Sequence, residues 1–94
     1  MTINVQHEVA VSLPPALAAL FPGCPRQACV HAGTVGDAIA ALNRSWPGLQ
    51  GRLCDDSPSL RRHIRVYVRG EIARLETRLT AGDEVFVITA ISGG

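Results

Sequence analysis

At 94 residues and 47% hydrophobic content, the chain has enough apolar material for one compact domain over residues 1–94. It does not have enough for a core plus a large enclosed active site, so its work is expected at the surface. A formal net charge of +1 excludes broad electrostatic capture by nucleic acid or by an anionic membrane, and all nine basic residues are Arg, which removes both a Schiff-base amine and any lysine acceptor.

The opening stretch Met1 to Glu8 lacks the charged-then-apolar pattern of a secretory signal. No apolar run approaches the roughly eighteen residues of a membrane span, so the expected location is cytoplasmic. Cys24, Cys29 and Cys54 are an odd number in a chain without an export signal, which predicts reduced thiols over a disulfide framework.

From Val5 the odd positions Val5, Val9, Val11 and Leu13 are apolar while Gln6, Glu8 and Ser12 are polar, the period-two pattern of a half-buried strand with His7 on its apolar side. Pro14-Pro15 ends that strand, and Leu17, Leu20 and Phe21 fit a short helical turn or a packed loop before Pro22-Gly23. A second strand is predicted over 27–32. Thr34 then supplies a cap hydroxyl with Asp37 three residues on, as in a capping box. Val35, Ala38, Ile39, Leu42 and Trp46 follow helical spacing until Pro47-Gly48 stops it, predicting one amphipathic helix of about three turns.

Residues 51–62 carry turn formers and mixed charge without a period and read as a surface connection. Ile64, Val66 and Val68 alternate with Arg65, Tyr67 and Arg69 as a third strand, and Gly70-Glu71 turns the chain. A short strand is expected over 72–75, a tight turn at Ala81-Gly82-Asp83, and a β-branched strand over 84–91. Strand, strand, helix, strand, short strand, strand is the order of an α+β, β-grasp (ubiquitin-like) domain, a mixed sheet of four or five strands packed on one main helix.

After Ile91 only Ser92-Gly93-Gly94 remain. Two glycines without Cβ atoms can be drawn out straight and fit a channel that any side chain would block, although a frayed end would read the same way.

Three stretches resemble the ThiS/MoaD sulfur-carrier family. The segment from Leu75 to Val85 with the following strand and Ser92-Gly93-Gly94 is similar to the family's tail. Val35 to Leu42 with Trp46-Pro47-Gly48-Leu49 resembles its helix and exit, and Arg65 to Glu71 its third strand and turn. The similarity covers residues 9–94. It implies a protein that is no enzyme itself and binds no cofactor. Its Gly94 carboxylate would be adenylated with ATP by a ubiquitin-activating-enzyme-like adenylyltransferase, then converted to a thiocarboxylate, with Gly93 and Ser92 as the slender tail. A carboxylate with a pKa near 3.5 is a poor electrophile at neutral pH, and joining it to AMP supplies the leaving group.

The recipient implied is a sulfur-accepting enzyme. The long segment from Arg52 to His63 is similar to the cysteine-biosynthesis carriers, which feed a cysteine synthase or sulfhydrylase. The Ser-Gly-Gly end looks like the molybdopterin carriers, which serve a molybdopterin synthase large subunit, and the thiamine type is a further option. The family's usual Asn in the third-strand turn is Arg69 here, and a proline often seen near the tail is Thr89.

With Val85, Val87 and Thr89 pointing inward, Phe86, Ile88 and Ala90 face outward beside Tyr67, with Ile91 at the strand's end and Arg65 and Arg69 as a rim. Such a patch suits a partner enzyme, since aromatic and Arg side chains are favoured at interfaces. A solvated face with Phe86 under a loop is the plainer alternative.

Cys24 and Cys29 have the C-x4-C spacing that begins a plant-type iron–sulfur site, but Ala32 stands where the third ligand belongs. The spacings of Cys24, Cys29, His31, Cys54 and His63 match no closed zinc pattern, and no histidine has a nucleophile or acid partner in a motif. Two rivals to a sulfur carrier stand: a ubiquitin-like protein modifier, which shares the activation step, and a noncovalent β-grasp binding module.

Overall fold

The computed structural model describes residues 5–55 and 59–89. Its strands are β1 (His7–Ser12), β2 (Gln27–Ala32), β3 (Ile64–Val68), β4 (Glu71–Ala73) and β5 (Glu84–Thr89), and its helices are α1 (Pro15–Ala18), α2 (Val35–Ser45) and α3 (Leu49–Leu53). The strands form one sheet in the order β2-β1-β5-β3-β4. All pairs are antiparallel except β1 with β5, which run parallel in the middle.

The alternation read from the sequence is the alternation of burial. Val9 and Val11 of β1, Val66 and Val68 of β3, and Val85 and Val87 of β5 turn to one face, where α2 covers them with Val35, Ala38, Ile39 and Leu42. Thr34 caps α2 as expected, its hydroxyl accepting from the Asp37 amide at 3.1 Å. Leu75 sets the entry to the helix through its carbonyl, which accepts from the Gly36 amide at 2.8 Å. A Cβ on Gly36 would stand 3.3 Å from that oxygen.

Four expectations need correction. Val5 is exposed, since β1 begins two residues later. Leu20 is exposed too, while Leu17 and Ala18 of the short α1 carry the burial there. Thr89 is exposed at the end of β5. The largest difference lies in the aperiodic connection, where α3 drives Leu49 and Leu53 fully into the core and Cys54 nearly so. Five residues are too few to show a helical period, so Leu53 and Cys54 read as part of a surface connection. Asn43 builds this corner, its side-chain oxygen accepting from the amides of Gly48 (3.0 Å) and Gln50 (3.1 Å). Gly48 takes φ +101 beneath the Phe21 ring, a conformation that a side chain rarely adopts.

Candidate functional site

The face of the sheet away from α2 carries the outward-pointing residues, and strand register arranges them in rows. One row crosses all five strands: Gln27, Ser12, Phe86, Tyr67 and Ile72. Ile88 and Arg65 oppose each other in the next row along β5 and β3.

This face is divided chemically. On the β2–β1 half, Glu84 accepts from the Gln27 amide (2.8 Å) and the Ser12 hydroxyl (3.1 Å), a cross-strand polar cluster. On the β5–β3–β4 half, Phe86, Ile88 and Ile72 are 43%, 45% and 66% exposed around the half-buried Tyr67. Large aliphatic and aromatic groups this open, side by side, form a surface suited to covering by another protein.

Phe86, Ile88, Tyr67 and Arg65, expected together from the pleat, do share this face. Ile72 joins them without having been singled out, although its place between Glu71 and Ala73 on a short strand opposite Tyr67 is the signal that finds it. Arg69 has a different situation. It adopts φ +53 at the β3–β4 turn, and its guanidinium donates to the Asp83 carboxylate and, at 3.4 Å, to the Arg78 carbonyl. It ties that turn to the loop before β5.

Asp83 is the counterpart of this tie. Its carboxylate also accepts from the Thr80 amide (2.8 Å) and hydroxyl (3.2 Å). Burial pushes its pKa up, but the bonds from Thr80 and from the Arg69 guanidinium outweigh that and hold it below the ordinary carboxylate value. The start of β5 is thereby pinned on one side of the outer face.

At its other end β5 runs past Thr89, opposite Ile64, into residues 90–94. The tail residues Ile91, Ser92, Gly93 and Gly94, with Ala90 before them, lie outside the described residues. What the structure establishes is where they are attached: at the end of a strand flanked by β1 and β3.

The cysteines and histidines do not converge. Among the described residues, no group of three or more His, Cys, Asp or Glu is placed to hold a metal ion. Cys24, Cys29 and Cys54 are free thiols, half-buried, exposed and buried in turn. No described helix is long and apolar enough to cross a membrane.

Comparison with known proteins identifies the relatives of this arrangement. The ThiS family profile matches residues 25–94. The sulfur carrier protein CysO of Mycobacterium tuberculosis is 32% identical over 92 residues, covering 92% of this chain and 98% of that protein. Small archaeal modifier protein 1 of Haloferax volcanii is 43% identical over 61 residues, covering 65% of this chain and 70% of that one. Among solved structures, CysO in the BexX/CysO complex of Amycolatopsis orientalis superposes with a TM-score of 0.81 at 29% identity, over 92% of this chain and 99% of that chain. The crystal structure of the Haloferax volcanii modifier gives 0.77 at 34% identity, over 93% and 99%. The five-stranded sheet on its helix is thus the β-grasp, ubiquitin-like fold of these carriers and modifiers.

Proposed function

The chain belongs to the ThiS family, and from that premise we propose that it is a protein sulfur carrier whose reactive group is the Gly94 carboxylate. One observation carries the reading beyond family membership. β5 presents Phe86 and Ile88 to solvent and the sequence leads from it to Ser92-Gly93-Gly94 within five residues, so the surface that a partner would cover lies on the strand to which the tail is attached. A separate adenylyltransferase docks on Phe86, Tyr67, Ile88 and Ile72 and uses ATP to join AMP to Gly94. Sulfide then displaces AMP to leave a thiocarboxylate. AMP is a good leaving group where hydroxide is not, so the carrier needs no catalytic side chain of its own.

We favour the cysteine-synthesis type of recipient, a sulfhydrylase, because the similarity to the CysO proteins extends over nearly the whole length of both chains. The similarity to the archaeal modifier favours a second reading, in which the same activated carboxylate ends in an amide bond to a target lysine. The two differ after activation only. Amine conjugates would identify the modifier, and persistent thiocarboxylate the carrier.

The test is mass analysis of the tryptic peptide Leu79 to Gly94 after incubation with ATP, sulfide and a candidate adenylyltransferase. The peptide contains no Cys or Met, so exchange of oxygen for sulfur is not confused with side-chain oxidation. An ATP-dependent gain that disappears on deletion of Gly94 is expected. Neither gain nor adenylate would leave the chain as a noncovalent binding module.

A further inference from the structure

The strand register places different charges at the two ends of the sheet. At the start of β5 both signs stand together: Asp83 and Glu84, Glu8 on β1 and Glu71 across the β3–β4 turn, with Arg69 paired to Asp83 and Arg78 beside it. At the other end, Ile64 opposes Thr89 and Arg65 opposes Ile88, so Arg61, Arg62 and His63, which precede Ile64, stand beside the point where the chain runs on into the tail. All three are exposed. Arg61 and His63 also line, with Arg52 and the backbones of Gly48 and Gly51, an open concavity of about 460 Å3.

Two of the guanidinium groups here are held by the backbone. The Arg61 Nε donates to the Gly51 carbonyl at 2.9 Å, and the Arg65 guanidinium donates to the Arg62 carbonyl at 2.7 Å, which turns it back toward Arg62. Asp55, the described carboxylate nearest to them in the sequence, accepts from the Ser59 hydroxyl at 3.1 Å. A guanidinium held by a carbonyl keeps its charge and its remaining N–H donors, and planar donors of this kind match carboxylates.

We propose that Arg62 and Arg65, with Arg61 and Arg52 beside them, form a cationic rim at the root of the tail that docks on a carboxylate-rich surface of the activating protein, bordering the opening that takes in Gly93-Gly94. The rim rests on the carrier reading for the identity of that protein. Continuity with the apolar face argues for protein over nucleic acid, because Arg65 adjoins Ile88 and a phosphate backbone has no use for the aliphatic surface beside it. A whole-chain charge of +1 points the same way, giving little long-range attraction to polyanions. The rim acts in orientation. The opposite end of the sheet mixes carboxylates with Arg69 and Arg78, so a carboxylate-rich surface is drawn to the rim and encounters begin with the tail facing its receiver.

The experiment is a titration of the isotope-labelled protein with a glutamate-rich decapeptide, followed by amide chemical shifts. Shifts confined to residues 52 and 61–65 and to Ile88 are expected, weakening about tenfold or more in Arg62→Glu/Arg65→Glu and unchanged in Arg78→Glu, a single charge reversal at the sheet's other end. Shifts elsewhere, an equal loss in Arg78→Glu, or tighter binding of oligouridylate than of the peptide would each overturn the proposal. A matching amide spectrum establishes that the variants fold.

A second measurement separates this inference from the function on which it rests. With a ubiquitin-activating-enzyme-like adenylyltransferase encoded in the same genome, the Arg62→Glu/Arg65→Glu variant should lose about tenfold in kcat/KM for Gly94 adenylation with kcat unchanged. Unaltered kcat/KM overturns the rim and leaves the carrier intact. No adenylate even from the wild type overturns the carrier reading, while the peptide titration still decides the rim.

Discussion

Tyr67 and Phe86 stand directly opposite each other across the β3–β5 ladder, Tyr67 half-buried between Phe86 and Ile72 and Phe86 the more exposed of the two. The pair is supported from within the sheet and incomplete toward water, as a docking hot spot is before its partner arrives.

Phe86→Ala should therefore separate stability from binding. Loss of a side chain this exposed costs about 1 kcal/mol or less in a thermal or denaturant melt. Binding of the activating protein, measured by titration calorimetry, should weaken at least about tenfold. Equal binding by the variant would remove the outer face from the function.

The opposite partition is expected at α3. Leu53 is fully buried, so Leu53→Ala should cost about 2–5 kcal/mol, whereas its exposed neighbour in Arg52→Ala should stay within about 0.5 kcal/mol in the same denaturant titration.

That contrast marks where the sequence was legible. β2 and the cap and buried face of α2 were readable because a strand with period two and a three-turn helix with a cap each repeat their signal several times. α3 was not, since one turn shows its leucines only once. The half of the site on β3 and β5 followed from the pleat, and Ile72 was within reach of the tight β3–β4 turn that sets it opposite Tyr67, but nothing local showed that β5 lies between β1 and β3. Sheet order is a long-range outcome that no local pattern states. Nor could spacing reveal that Arg69 would be engaged by Asp83, fourteen residues away in the chain.

Asp83 makes stability depend on acid in a definite direction. Its pKa is lower folded than unfolded, so as pH falls below the ordinary carboxylate value near 3.8 the unfolded chain takes up a proton that the folded chain still refuses. The contribution is complete above that value and is lost as pH drops through the lower, folded one. Asp83→Asn should be less stable than wild type by about 1–3 kcal/mol at pH 7, with the gap closing toward pH 2 in parallel melts.

The three thiols should differ in reactivity. Burial raises the pKa of Cys54, with the Asp55 carboxylate adding to the rise and Arg61 opposing it, and burial raises that of Cys24 as well. Cys29 is exposed on the outer face. In a timed alkylation at neutral pH read by peptide mass analysis, Cys29 should be labelled first and Cys54 last, the latter only on unfolding.

The central place of β5 has a consequence for synthesis. β1 is made early and β5 late, yet they pair side by side in the middle of the sheet, so until β5 is available both β1 and β3 have an open edge. A chain interrupted before β5 would have neither a completed sheet nor the Gly93-Gly94 end. On the carrier reading, the strand that leads to Gly94 is the one that completes the fold, so an activating enzyme that gripped the finished sheet would meet only chains already folded. Proofreading of this kind needs no additional component.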